Sequence, residues 1–405
     1  EEEEEEEEEV VEEEEEEEVE EPAVGEPQRG GTLIVFRGVS TGTDSTDMTG
    51  TEVIAVTPLV GPIIDYLVMG DFETYGPRGT NEYAFNIGAI VQVDKKFLRG
   101  ALAESWELHW PDSVVIHIRP GVYWQAMGKE HVMESRELTA DDVVFSMTHV
   151  YDTVLQMALT EHGGFIDRVY AADKYTVIVE TSSYQANWLR HLSGYQLGVY
   201  APEVIEAGLD DWNELVGTGP FMFKKYVAGS HMTYARNPNF WGSPITINGT
   251  EYEIPFVDEL VYALIPDMST RVAALRTGKL DIYHKMSLKY EDTLAQTTPE
   301  LLKLNILKDD ITVLPLKCDK EPFNNRNVRR AMMMALDRET MVKALMIKGE
   351  ANPWLIGGFS AGQAPLEVYS ASNREVFEYN PEKARQMLID EGYPEGFKVT
   401  GIIFS

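Results

Sequence analysis

The first 21 residues cannot build a hydrophobic core, which leaves the rest of the chain to make the fold. They comprise 18 Glu and three Val, with no Lys or Arg. Like charges this dense repel one another, and the segment has too little apolar surface to offset the entropy lost on ordering. Carboxylates in such a segment bind cations only diffusely. We therefore predict that residues 1–29 form a disordered acidic tether.

The remaining sequence has the composition of an acidic globular protein. The 405 residues carry 34 Lys and Arg against 68 Asp and Glu, a net charge of -34. Without the first 21 residues, 50 acidic residues and a net charge of -16 are left. With 43% hydrophobic residues, a chain of this length predicts roughly two or three domains. Because no basic stripe is present to neutralise phosphates, nucleic acid is excluded as a partner.

Two features that the sequence lacks further narrow the class of protein. Cys318 is the only cysteine, which excludes an internal disulfide and a zinc site built on several thiolates. The longest apolar stretch, residues 53–64, is interrupted by two prolines and a glycine. It is far shorter than the roughly 18–20 apolar residues of a membrane span. We predict no membrane-spanning segment within the chain.

Strand and helix signals alternate along the chain. Short apolar runs predict strands at residues 32–36, 114–118, 175–179, 260–265, 280–283 and 397–404. Capping residues mark helix starts at Thr139 (with Asp142), Asp267, Asp337 and Asn380. Apolar residues at 328, 331, 332, 335 and 336 share one face of an amphipathic helix. These patterns predict a mixed α/β protein of more than one lobe.

No catalytic constellation is visible. Residues 38–42 fit G-x-S-x-G around Ser40, but the run 44–47 is a poor helix former where a nucleophile elbow requires a helix. The eight histidines are scattered, and none forms H-x-x-x-H or H-E-x-x-H. Residues 217–220 resemble a phosphate loop, but their proline lacks an N–H and no Lys-Ser/Thr pair follows. We predict no catalytic residue, no metal ligand and no cofactor, and favour a binding protein.

Ten short stretches occur in an order and spacing that resemble one known family. They are residues 102–106, 116–122, 138–146, 217–221, 236–242, 271–282, 322–325, 328–331, 335–338 and 380–384. Together they are similar to the extracytoplasmic solute-binding proteins of family 5, the oligopeptide-, dipeptide- and nickel-type receptors of ABC importers. The resemblance extends over residues 30–405.

The resemblance implies an α/β fold of the type II periplasmic-binding-protein class, a two-lobed Venus flytrap with an extra domain beside lobe I. Under this interpretation the chain divides into five parts: 1–29 acidic tether, 30–91 first part of lobe I, 92–183 extra side domain, 184–285 second part of lobe I, and 286–405 an incomplete lobe II. One departure from the family concerns residues 125–137, which replace a shorter hairpin next to the side domain.

The resemblance also implies a function. The protein is expected to be an extracytoplasmic, periplasmic or cell-surface receptor, with a lipid anchor as an alternative, that acts as a monomer and delivers a small peptide to a membrane permease. A nickel complex, haem or an oligosaccharide are alternative ligands. A serine hydrolase using Ser40 is the alternative from another class.

The resemblance places four residues near the ligand cleft. Tyr283 and His284 follow the strand that crosses from the first lobe to the second, and ordinary packing is the alternative role for Tyr283. Tyr151 and Trp354 are placed by approximate register alone. The residues that hold the termini of a peptide are expected beyond Ser405.

Overall fold

The computed structural model describes residues 26–36, 59–76, 79–80, 95–151, 165–184, 198–284, 286–304, 314–345 and 366–400. Residues 1–25 of the predicted tether, the loop around Ser40 and Trp354 lie outside these ranges.

The strands of the described residues fall into one sheet of five strands, one of four and two short pairs. In chain order they are β1 (Thr32–Phe36), β2 (Val68–Gly70), β3 (Leu98–Gly100), β4 (Ala103–His109), β5 (Ser113–Ile118), β6 (Ile166–Asp173), β7 (Thr176–Thr181), β8 (Phe221–Val227), β9 (His231–Arg236), β10 (Ile245–Ile247), β11 (Thr250–Tyr252), β12 (Glu259–Ala263) and β13 (Ile282–Tyr283).

The helices are short, and most of them follow a strand or a capping residue. They are α1 (Phe72–Tyr75), α2 (Ala140–Tyr151), α3 (Pro202–Ala207), α4 (Met268–Arg276), α5 (Glu291–Thr297), α6 (Arg326–Met334), α7 (Arg338–Leu345), α8 (Ala371–Arg374) and α9 (Pro381–Asp390). Single 3-10 turns occur at Lys95–Phe97, Trp212–Glu214, Leu288–Tyr290, Leu366–Val368 and Glu375–Phe377.

The five-stranded sheet has the order β13-β1-β12-β9-β8. Strand β1 runs parallel to both of its neighbours, with Leu33 opposite Leu260 and Phe36 opposite Tyr283. Strands β9 and β8 continue the sheet in antiparallel pairing. Strand β1 therefore lies between strands that come more than 200 residues later in the chain.

The four-stranded sheet is antiparallel and has the order β4-β5-β7-β6. In β5 every second residue is buried (Val114, Ile116 and Ile118), as expected when one face of a sheet covers a core. Helix α2 contacts β6 and β7. The sheet lies within residues 92–183, and the bounds of that part as a separate domain stay a prediction.

The described part of the chain contains three clusters of buried apolar side chains. The largest includes Trp124, Leu138 and Tyr234 and joins residues of both large sheets. The second is built from Phe36, Val272, Leu275, Leu280 and Leu294, between the carboxyl ends of the parallel strands and helices α4 and α5. The third joins α6 to α9 through Ala331, Met334 and Ala384.

Most of the predicted helix starts are confirmed by their capping bonds. The carboxylate of Asp337 accepts the N–H of Thr340 at 3.0 Å, and the Asn380 side chain accepts that of Lys383 at 3.0 Å. At α2, the Asp142 carboxylate accepts the N–H of Thr139 at 2.9 Å. These bonds satisfy backbone donors that have no partner within the helix.

Two details of the predicted elements are wrong. Helix α6 ends at Met334, so the predicted face does not extend to Ala335 and Leu336, which are exposed, and Met334 takes a buried position instead. The chain leaves the helical path there because Asp337 caps the next helix. Residues 397–400, the described part of a predicted strand, are not in a strand, since none of the described residues pairs with them.

Candidate functional site

The carboxyl ends of β1, β12 and β13 meet at one edge of the sheet because the three strands are parallel. In open α/β sheets, ligands bind beyond the carboxyl ends of the strands. Phe36 and Tyr283 end two of these strands, and His284 follows directly. This edge is the candidate site among the described residues.

Tyr283 is held by packing at this edge. Its ring meets that of Phe36 edge-on, with 5.0 Å between the ring centres. It is half-buried and packs against the second core cluster, whereas His284 is exposed. The packing role that was the alternative for Tyr283 is thus present, and a ligand contact by Tyr283 or His284 stays a prediction.

Arg271 adds a cation to the same edge. Its guanidinium lies 4.2 Å from the centre of the Phe36 ring, within the range of a cation–π interaction. Its Nε donates to the carbonyl of Ile265 at 2.5 Å and Nη2 to that of Pro266 at 2.7 Å. The guanidinium therefore fixes the exit of β12 against the end of β1.

Sequence reasoning did not single out Arg271 as a site residue. The available signal was its position four residues after the cap Asp267. Residues four apart lie on the same face of a helix, so Arg271 lies one turn into α4 on the same face as the capping residue. Nothing in the sequence alone showed that this turn would face the end of β1, because Arg271 and Phe36 are more than 200 residues apart in the chain.

None of the contacts between described residues brings the other predicted residues to this edge. Tyr151 is the last residue of α2, and its side chain lies outside the described part of the chain, as do Trp354 and Ser40. Among the described residues, no group of three or more His, Cys, Asp or Glu side chains is arranged to hold a metal ion. None of the described helices has the length and apolar character needed to cross a membrane.

Replacing the cap of α4 tests how firmly this edge is held. The Asp267 carboxylate accepts the N–H of Thr270 at 2.7 Å. We expect Asp267→Ala to lower the free energy of unfolding by about 1 kcal/mol, and Asp267→Ser to retain most of it, since serine also caps helices. Urea unfolding of both variants checks this, and equal losses would show that the cap bond is not the cause.

Comparison with known proteins identifies the chain. Residues 98–403 match the family model described as bacterial extracellular solute-binding proteins, family 5. The chain belongs to this family. Its members are binding proteins that work outside the cytoplasm, so the predicted family and the preference for a binding protein over an enzyme are supported.

Two relatives of this family-5 protein have names that state a ligand. Heme-binding protein A of Haemophilus influenzae is 26% identical over 317 residues, which are 74% of this chain and 54% of that protein. Di/tripeptide-binding protein 2 of Pseudomonas aeruginosa is 28% identical over 351 residues, 79% of this chain and 62% of that protein. The chain thus spans little more than half of the length of these relatives.

A solved structure confirms the fold. The periplasmic binding protein DppA from Helicobacter pylori, in complex with the peptide STSA, superposes with a TM-score of 0.65 at 23% identity, over 91% of this chain and 67% of that one. The predicted type II periplasmic-binding-protein fold of mixed α/β class is therefore confirmed.

Proposed function

We propose that this chain is the ligand-binding part of an extracytoplasmic receptor that delivers small peptides to an ABC permease. Its membership in family 5 over residues 98–403 carries the proposal. A relative named as a di/tripeptide-binding protein, matched over 79% of this chain, supports peptides as the ligand class.

The candidate edge suits such a ligand. An extended peptide can be held by strand-like hydrogen bonds along the outer strand of a sheet, and β13, which ends in Tyr283, is an outer strand of the described five-stranded sheet. Tyr283 would offer a flat ring and a hydroxyl, and His284 an exposed imidazole, beside a ligand enclosed between two lobes. Ligand drives closure only if it binds the closed state better than the open one.

Native mass spectrometry of the full-length protein, as purified, tests the ligand class. We expect a mass increment that matches one or a few short peptides, or a peptide complex formed after incubation with a di- and tripeptide mixture. Increments that match a nickel complex, haem or an oligosaccharide instead would replace peptides as the ligand class and leave the receptor role in place.

Thermal stability provides a quantitative reading of the same binding. A ligand that binds only the folded state, at about 100 times its Kd, stabilises by about 2.7 kcal/mol, which shifts the melting temperature by several degrees in domains of this size. In the full-length protein we expect this shift with the peptides that the mass spectrum identifies. No shift and no bound mass with any of the four ligand classes would contradict the receptor proposal.

Two paired substitutions test the site residues. Tyr283→Phe retains the ring contact with Phe36 but removes the hydroxyl, and Tyr226→Phe is its control on the exposed side of β8. His284→Ala is compared with His109→Ala, a histidine on the side-domain sheet. We expect weaker peptide binding for the first member of each pair only. Equal binding in all four variants would place the ligand elsewhere.

The hydrolase alternative is tested with a chromogenic ester. We expect no turnover above the uncatalysed rate. Turnover that disappears in Ser40→Ala would identify an enzyme and overturn the proposal.

A further inference from the structure

Arg271 is a half-buried cation at the candidate edge, and none of the described carboxylates forms an ion pair with it. Its guanidinium lies over the ring of Phe36, 4.2 Å from the ring centre. The neighbours that hold it there are this ring and the carbonyl oxygens of Ile265 and Pro266. A ring face and neutral carbonyls offset a positive charge only in part, so the surroundings of the guanidinium favour an anion.

The acidic side chain nearest to Arg271 in the helix is committed to the helix cap. Asp267 Oδ1 accepts both the N–H and the hydroxyl of Thr270 at 2.7 Å. These bonds are the main reason that the pKa of Asp267 lies below its usual range, and the charge of Arg271 adds a smaller effect. Asp267 thus acts on Arg271 through the field alone and takes none of its N–H donors.

The donors that remain are those that match a carboxylate. A guanidinium carries five N–H groups in a planar fork, and the bonds to Ile265 and Pro266 use one on Nε and one on Nη2. Nη1 of Arg271 makes no hydrogen bond to a described residue. Nη1 and the second N–H of Nη2 therefore form an unused pair, and such a pair binds both oxygens of one carboxylate.

This pair of donors is located where the sheet can meet a ligand. Phe36 is the last residue of β1, and β12 ends two residues before Ile265. Since the two strands are parallel, the guanidinium lies at their carboxyl ends, beyond which open α/β sheets bind ligands. The ring of Phe36 also contacts Tyr283. A small ligand beside Tyr283 is therefore within reach of Arg271.

Resting on the function proposed above, we propose that Arg271 is the carboxylate subsite of this receptor and binds one carboxylate of the ligand through Nη1 and Nη2. A short peptide presents such a group at its C terminus, and haem presents two propionate groups. A neutral oligosaccharide presents none. The subsite therefore favours the first two ligand classes and selects against the third.

The test compares ligands that differ only in the carboxylate. The full-length protein is incubated with a library of di- and tripeptides and with the same library as C-terminal amides, and the bound masses are measured by native mass spectrometry. In a second arm it is incubated with haem and with haem dimethyl ester. Because hydrogen bonds between charged groups are strong, we expect the free acid to bind about 10- to 100-fold more tightly than the blocked form in at least one arm.

Replacing the arginine separates a ligand contact from a structural role. We expect Arg271→Met to bring the preference for the free acid close to one. If Arg271 only fixed the exit of β12, this variant would weaken the acid and the blocked form by the same factor and leave the preference unchanged. Arg276→Met is the control for the lost charge, since it removes an exposed arginine from the end of the same helix, and it should retain the preference.

Arg271→Lys keeps the test decisive if Arg271→Met does not fold. Lysine retains the charge but cannot present two parallel N–H groups, so we expect a preference several-fold lower than in the unaltered protein. No preference in the unaltered protein, or one that Arg271→Met or Arg271→Lys retains in full, would overturn the subsite and leave the receptor role in place. Binding of haem alone, with a preference that depends on Arg271, would retain the subsite and replace peptides as the ligand class. Binding in neither arm would contradict the proposed function and the subsite together.

Discussion

Arg136→Met is expected to destabilise the protein by about 3 kcal/mol, because it leaves a buried carboxylate without its cation. Arg136 Nη2 and Nη1 lie 2.7 and 2.8 Å from the two oxygens of Asp142, whose side chain is 4% exposed. Nε and Nη2 also donate to Glu203 at 2.8 and 2.9 Å. One guanidinium therefore joins α2, α3 and the segment 125–137.

The matched control is Arg168→Met on the four-stranded sheet. Arg168 also binds a glutamate through two bonds, to Glu180 at 2.9 and 3.1 Å, but its side chain is 61% exposed. Exposed pairs of this kind contribute at most about 1 kcal/mol. Urea unfolding of the two variants measures how burial affects the loss of stability, because both variants replace an arginine with a methionine.

A second measurement, the pKa of Glu203, checks that the loss of stability in Arg136→Met arises from the loss of the Arg136 cation. The hydrogen bond from Arg136 is the main reason that the pKa of Glu203 lies below its usual range. In Arg136→Met, NMR titration should show the pKa of Glu203 shifted upwards, whereas in Arg168→Met it should not change. Similar destabilisation in both variants, with an unchanged Glu203 pKa, would contradict the role of Arg136 as a buried anchor.

The sequence predicted those parts of the fold that depend on neighbours in the chain. A helix cap involves only three or four neighbouring residues. The cap bonds at Asp267, Asp337 and Asn380 are each present in the structure. The strand 32–36 was visible as an apolar run. Its position between β12 and β13 was not, because pairing across more than 200 residues leaves no local pattern.

The candidate site shows the same limit. Family resemblance placed Tyr283 and His284 at the end of a strand, and the structure places them at the carboxyl edge of the parallel strands. Arg271 was not singled out as a site residue and Asp65 went unnoticed, since an arginine early in a helix and an aspartate between apolar residues are ordinary in sequence. Their importance comes from partners, Phe36 for one and Trp241 for the other, that lie more than 170 residues away.

The segment 125–137, which departs from the family pattern, is closed by hydrogen bonds at its two ends. The N–H of Trp124 donates to the carbonyl of Arg136 at 2.9 Å, and Ser135 Oγ donates to the carbonyl of Trp124 at 2.7 Å. These bonds close the segment at its base, so the additional residues leave and return at one point, and Trp124 itself is fully buried.

Gly217→Ala is expected to have the other large effect, a destabilisation of about 3 kcal/mol or more, as in severe overpacking of a core. A Cβ atom at this position would overlap the backbone carbonyl oxygen of Ile63, and one at Gly219 would lie 2.6 Å from the same oxygen. Backbone cannot rotate away as a side chain can, so the turn must separate from the segment that carries Asp65.

The control for this change is Gly229→Ala in the turn between β8 and β9. Gly229 has a φ of +69° but nothing within 4 Å of an added Cβ, so alanine there meets only backbone strain of about 1–2 kcal/mol. Urea unfolding should therefore rank Gly217→Ala as clearly the more damaging variant. If the folded fraction permits NMR, the Trp241 indole N–H in Gly217→Ala should exchange faster than in the unaltered protein, because displacing the turn moves Thr218 away from the Asp65 oxygen to which Trp241 also donates. Equal stabilities of the two alanine variants would mean that the turn and Ile63 are not in close contact in solution, and that the junction of Thr218 and Trp241 with Asp65 is looser than its hydrogen bonds indicate.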